Sequence, residues 1–199
     1  RAIMTLMQAD YWDDLEKRFP LAHRDLVQTQ AKQQGIEPAW AFAIIRQESA
    51  FTEDAKSHAG ALGLMQLMPA TAKQVARNMQ LHFQRIDLLD ANTNVKLGVN
   101  YLRRVMDQFK GNKVLATAAY NAGGHRVTKW LPKEGSIPAD LWVELVPFSE
   151  TRDYCKRVLT YTVIYEQRLG QRPIPLMERM APIPADLNTV LLPAANSDV

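Results

Sequence analysis

Hydrophobic positions along this chain recur at helical spacing, and no stretch alternates with period two for long enough to build a large sheet. Tyr11 to Phe19 reads as a helix ending before Pro20. Arg24 to Gln34 ends at Gly35, the residue type that most readily takes a left-handed helix stop. Pro38 suits a first helical turn. The run W-A-F-A-I-I-R-Q-E-S-A from Trp40 is too densely apolar for a surface helix, so it predicts a buried central one. Amphipathic helices are predicted from Pro69 and from Asp90, a good N-cap for a stretch carrying Val95, Leu97, Val99, Leu102, Val105 and Met106. Val114 to Asn121 predicts a short apolar helix stopped by Gly123-Gly124, and Pro138 opens another that ends before Pro147. Ser149 is expected to cap a last helix running to Gly170, with Glu150 and Asp153 at its positive end. The Thr, Val, Ile and Tyr residues at 160–165 are the one place where a strand competes, and their helical flanks disfavour it. The expected fold class is therefore mainly α, with little or no β-sheet.

Composition narrows the class further. At 199 residues, 47% of them hydrophobic and 23% charged, the chain can bury one sizeable core. No apolar run approaches the roughly 20 residues that a membrane-spanning helix needs. One domain, with short flanking pieces, is the expectation from length. Residues 171–199 are read as a Pro-rich tail without helical period, lying on the surface or partly disordered. The net charge of +3 suits an anionic polymer, but without a dense basic stripe it argues against nucleic acid as a partner. The single cysteine, Cys155, reads as a small buried helical residue. His23, His58, His82 and His125 show no metal-ligand spacing, so neither a metal nor another cofactor is expected. The start at Arg1, with no apolar leader behind it, reads as a processing boundary.

Candidate chemistry begins at Glu48. This residue ends an apolar helix, with Ile44 and Ile45 one turn back and Phe51 just beyond. A carboxyl in such surroundings holds its proton to higher pH, which suits a general acid; the competing reading is a helix-end carboxylate directed to solvent. In G-A-L-G-L-M-Q-L-M-P, from Gly60 to Pro69, two glycines three apart let the backbone approach a ligand, and Gln66 stands alone among apolar neighbours. The alternative is a turn backed by core, with Gln66 satisfied by nearby backbone. In A-A-Y-N-A-G-G, Tyr120 and Asn121 are either a sugar-contacting pair or a core tyrosine and a capping asparagine.

Taken in order, R-Q-E-S-A-F at 46–51, G-L-M-Q at 63–66, A-Y-N-A-G at 119–123 and P-F-S-E-T-R-D-Y at 147–154 resemble the motifs of the soluble lytic transglycosylases. The resemblance covers roughly residues 20–170 and implies a lysozyme-like helical catalytic domain with a substrate groove over residues 21–170, and residues 1–20 as the end of a preceding helical region or a linker. It implies that Glu48 is the catalytic acid and that Ser49 has a structural role. Ser57 would contact the reacting sugar, Met65, Gln66 and Met68 would line the groove, and Tyr120 and Asn121 would face the scissile sugar. Glu150 would bind substrate, with Arg152 as its neighbour. Gly124, where many members carry Pro, and His58 after Ser57 depart from the family pattern.

Ordinary glycosidases use two carboxyls, about 5 to 5.5 Å apart when retaining and about 6.5 to 9.5 Å when inverting. Here one carboxyl has motif support, since neither Glu53 nor Asp54 matches a catalytic position of the family. The implied reaction is cleavage of the β-1,4 bond between N-acetylmuramic acid and N-acetylglucosamine in peptidoglycan, with the muramyl 6-hydroxyl closing on C1 to leave a 1,6-anhydro end. Hydrolysis as in a goose-type lysozyme, a non-catalytic peptidoglycan-binding domain and a purely structural helical domain are the alternatives. The expected partner is the glycan strand, the expected state a monomer and the expected location the periplasm, where that substrate lies.

Overall fold

The computed structural model describes residues 14–188. Residues 1–13 and 189–199, which include the start of the helix expected from Tyr11 and the end of the expected tail, lie outside the described residues. The helices are α1 (Leu15–Arg18), α2 (Arg24–Gln33), α3 (Pro38–Glu48), α4 (Pro69–Asn78), α5 (Ala91–Gln108), α6 (Lys113–Ala122), α7 (Gly124–Lys129), α8 (Ala139–Leu145), α9 (Ser149–Arg168) and α10 (Leu176–Arg179). A 3-10 turn spans Arg85–Leu89. The sheet among the described residues is one antiparallel pair, β1 (Ser136–Ile137) with β2 (Ile183–Pro184). The mainly helical expectation holds.

Two compact units divide the chain: the residues up to Arg104 with Lys156–Leu176, and Val105–Cys155 with the residues from Met177 on. In the first unit α3 is the buried centre, with every residue from Ala39 to Ile45 at most 1% exposed. The ring of Phe42 stacks on Tyr165 at 5.3 Å between centroids, and Phe19 meets Tyr161 and Tyr165 edge-on at 5.1 and 5.7 Å. These contacts bind α3 to the Thr160–Tyr165 stretch, which is helical because aromatic packing on one face of α9 outweighs its β-branched preference. Arg46 is buried on α3, where its Nε donates to the Arg18 carbonyl at 2.8 Å and its guanidinium lies over the Phe19 and Tyr161 rings. Burial with cation–π contact on two rings explains how a cation sits inside an apolar helix.

In the second unit α6 is buried from Val114 to Tyr120. Gly123, at φ 88°, ends α6, but Gly124 begins α7 at once, so the glycine pair marks a turn between helices where a simple stop was expected. A Cβ at Gly124 would meet only the far end of the flexible Gln108 side chain, so packing does not account for that departure from the family pattern. The Trp142 indole donates to the Trp130 carbonyl at 2.9 Å, and Trp130 meets Phe148 edge-on. Cys155 is wholly buried, as expected, and burial pushes its thiol up to about 12. Residues 171–188 are more ordered than their composition suggests: they include α10, and Ile183 on β2 is 0% exposed beside Ile137. Two apolar residues paired across strands give a Pro-rich segment enough burial to fix it.

Candidate active site

Glu48 is the last residue of α3 and is half-buried. The chain then reverses sharply, because Ala50 and Phe51 both take left-handed conformations, at φ 48° and 64°. Two successive non-glycine residues in that region carry strain of about 1 kcal/mol or more each, and packing must hold them there. The Phe51 ring supplies part of that packing, 6.2 Å from Phe42 and 6.4 Å from Tyr165. Ser49 donates its hydroxyl to the Ile45 carbonyl at 3.3 Å. Its side chain is spent on the helix end.

The loop that follows folds back on itself. Ser57 and Ala61 exchange backbone contacts, the Ser57 Oγ accepts the Ala61 N–H at 3.0 Å, and Leu62 pairs with both Lys56 and Leu67. With its lone pair so engaged, the half-buried Ser57 hydroxyl keeps its own proton for a further acceptor. Gln66, at φ 46°, donates its side-chain amide to the Ala55 and Gly63 carbonyls at 3.0 and 2.8 Å. Both amide hydrogens are thereby used, and Oε1 is the atom left to receive a ligand donor. Met68 is 42% exposed immediately before α4.

Two of the sequence expectations for this loop change. Gly63 does not open the backbone to a ligand: a Cβ there would lie 2.2 Å from the Asn94 Nδ2 and from the Leu88 carbonyl, so its close approach is to the protein itself. Met65 is 0% exposed, with its sulfur against Gly98, where a Cβ would come within 2.3 Å. It packs the loop from beneath, where a groove-lining side chain was expected. Sequence reasoning missed the residue that ties this together, Asn94 on α5. Wholly buried, Asn94 accepts the Met65 N–H at 2.7 Å and donates to the Leu62 and Leu88 carbonyls, each at 2.9 Å. Asn94 and Gly98 are four residues apart, hence on one face of α5, and that polar-plus-small pair inside an otherwise apolar stripe was the available signal.

Tyr120 and Asn121 occupy the last turn of α6 in the second unit. Tyr120 is 8% exposed, while Asn121 is half-buried and accepts the Thr151 hydroxyl at 2.7 Å. The bond fixes the amide with its NH2 turned outward from that contact. Thr151, itself 1% exposed, is the positioning residue that sequence reasoning passed over within S-E-T-R. Glu150 is exposed in the first turn of α9, and Arg152 donates to the Val146 carbonyl at 2.7 Å, a backbone partner that ties it to the end of α8. Among the described residues no group of three or more His, Cys, Asp or Glu is arranged to hold a metal ion, and no helix is long and apolar enough to cross a membrane.

A mainly helical domain with one half-buried glutamate closing its central helix, and a glycine-pinned loop after it, is a lysozyme-like design. The chain belongs to the transglycosylase SLT domain family, whose pattern matches residues 25–143; the soluble lytic transglycosylase helical domain matches residues 145–173. It is 42% identical over 175 residues to the soluble lytic murein transglycosylase of Escherichia coli, covering 86% of this chain and 27% of that protein. It is 40% identical to a putative soluble lytic murein transglycosylase of Haemophilus influenzae, covering 83% of this chain and 28% of the relative. Its fold is similar to an inactive mutant of the lytic transglycosylase Slt from Pseudomonas aeruginosa, with TM-score 0.83 and 49% identity over 86% of this chain and 28% of that one. The chain thus spans about a quarter of the length of the relatives it matches.

Proposed function

We propose that this chain is the catalytic domain of a peptidoglycan lytic transglycosylase, with Glu48 as its single acid and base. The observation that carries the reading is the placement of Glu48: half-buried, on the final residue of a buried helix, just ahead of the sharp reversal at Ala50 and Phe51. The reaction begins with Glu48 in its proton-bearing form. In that form Glu48 donates its proton to the glycosidic oxygen between N-acetylmuramic acid and N-acetylglucosamine, and the departing sugar leaves as an alcohol. The N-acetyl group of the substrate shields the cationic C1 where other glycosidases place a second carboxylate. Glu48, now ionised, takes the proton of the muramyl 6-hydroxyl as its oxygen bonds C1, which restores the acid and leaves a 1,6-anhydro end.

The Ser57 hydroxyl and the Gln66 Oε1 serve this reaction as sugar contacts, with Met68 as an apolar wall. Tyr120, Asn121 and Glu150 bind the strand, with the Asn121 amide held by Thr151. The protein acts as a monomer on glycan strands in the periplasm, without a cofactor. Its relatives' names, murein transglycosylases throughout, support the substrate class. Mass spectrometry of digested peptidoglycan tests the reading. Anhydromuramyl termini are expected, and hydrated muramic termini as the sole product would overturn it.

A further inference from the structure

We propose that His23 and Glu53 are positioning residues for Glu48: their contact holds the reversal that follows the acid against a fixed point at the start of α2. The His23 Nε2 lies 3.0 Å from the Glu53 Oε1 and joins the N-cap of α2 to the loop five residues after Glu48. His23 stands ahead of residues 25–143, so this half of the contact lies outside the matched family pattern. What fixes His23 is the chain before it. Phe19 is 2% exposed against the Tyr161 and Tyr165 rings, its carbonyl accepts the Arg168 Nε–H at 3.3 Å, and the Arg18 carbonyl accepts the Arg46 Nε–H at 2.8 Å. Both α3 and α9 thus hold a carbonyl of this segment. His23 itself takes φ 55°, and its carbonyl accepts the Val27 N–H at 2.9 Å. Arg46 and Glu48 are two positions apart on a helix, hence roughly 200° apart around its axis, so Arg46 grips the segment on a side away from the acid.

Glu53 reaches back to that fixed point from the far end of the reversal. Ala50 and Phe51 hold left-handed backbone, and strained residues of this kind persist only where their surroundings over-determine them. One hold is the Phe51 ring on Phe42 and Tyr165, and a second is the Thr52 N–H on the Ser49 carbonyl at 3.0 Å. The Glu53 carboxylate on His23 is a third, and it ties the reversal to the start of α2. His23 donates from Nε2 when its ring is charged and equally when the neutral ring keeps its proton there. Two residues on, the Ala55 carbonyl accepts both the Gly63 N–H and the Gln66 amide. A shift at Glu53 therefore disturbs the acid on one side and Gln66 on the other. Solvent screens a pair whose side chains are 28% and 54% exposed, so it adds little to global stability and its effect is local.

The inference rests on the peptidoglycan reading above, and two measurements on the full chain separate the fates of the two. First, release of anhydromuropeptides gives kcat and KM for wild type, His23→Ala, Glu53→Ala and the double variant, with urea unfolding run beside them. Each single variant is expected to lose about tenfold in kcat with KM and the unfolding midpoint unchanged, and the double variant to lose no more than either alone. His23→Gln, which keeps an N–H donor at similar reach, is expected to recover most of the loss. Unchanged kcat in the single variants, losses that multiply in the double variant, or no recovery in His23→Gln overturns the proposal. Second, amide hydrogen exchange at Thr52 and Ala55, whose N–H groups close the turns on either side of Glu53, reads the same hold without substrate. Faster exchange in both single variants is expected, and unchanged exchange overturns the proposal even where glycan is still cleaved. If the wild type releases no anhydromuropeptide, the catalytic reading fails by itself, and the exchange result still decides whether the pair holds the reversal.

Discussion

The loop after Glu48 and the end of α6 hold their polar side chains by opposite means. Residues 49–67 form no regular helix; their turns close partly on backbone bonds, such as those between Leu62 and Leu67, and partly on the side chains of Asn94, Ser57 and Gln66. Tyr120 and Asn121 sit on a regular helix whose own ladder satisfies the backbone, so one hydroxyl, from Thr151, suffices to aim the amide. Irregular chain near a site thus needs a buried polar hub and glycines cut to fit it, whereas helical chain needs only a partner for the side chain.

The largest expected contrast is chemical. Glu48→Gln is expected to cut turnover by about 10²- to 10⁴-fold with the helical signal retained, and Asn121→Ala by far less, as read by release of anhydromuropeptides. Next comes stability. Asn94→Ala removes three buried hydrogen bonds, one from the Met65 N–H and two to the Leu62 and Leu88 carbonyls, and urea unfolding should show a loss of about 3 kcal/mol or more. Thr151→Val, its counterpart in the second unit, should cost about 1 kcal/mol and raise KM severalfold. Equal costs for these two would erase the distinction between hub and helix. Gly98→Ala drives a methyl into the Met65 sulfur and should cost about 1 to 3 kcal/mol, much of it recovered when Met65→Ala is added to the same chain.

The smallest effect concerns Cys155. Its folded thiol titrates at about 12 against an ordinary 9.0, so between those values the unfolded state gives up a proton that the folded state keeps. Stability contributed by this group is full below pH 9 and is lost as pH rises towards 12, and a thiol reagent at pH 8 should label Cys155 only after denaturation.

Helix positions were legible because local signals set them: Pro38 and Pro69 open helices, Asp90 accepts the Thr93 N–H, and Gly35 and Gly170 take positive φ. The buried centre was legible from the density of apolar residues after Trp40. What escaped depends on partners distant in sequence. Asn94 looked like an ordinary helix residue because the groups it satisfies lie about thirty positions upstream. For the same reason Met65 looked like a groove residue until Gly98 was seen beneath it. The order after Gly170 was hidden in the pairing of Ile183 with Ile137, nearly fifty residues away.

The reach of the Asn94 contacts bears on when the segment after α3 takes shape. A loop whose Met65 amide and Leu62 carbonyl bond a side chain on α5, two helices downstream, cannot settle fully until that helix has docked, so closure of a long chain segment must come first. A half-folded copy would carry Glu48 at the tip of α3 without an ordered loop beside it. On the catalytic reading proposed above, activity then waits on the docking of α5.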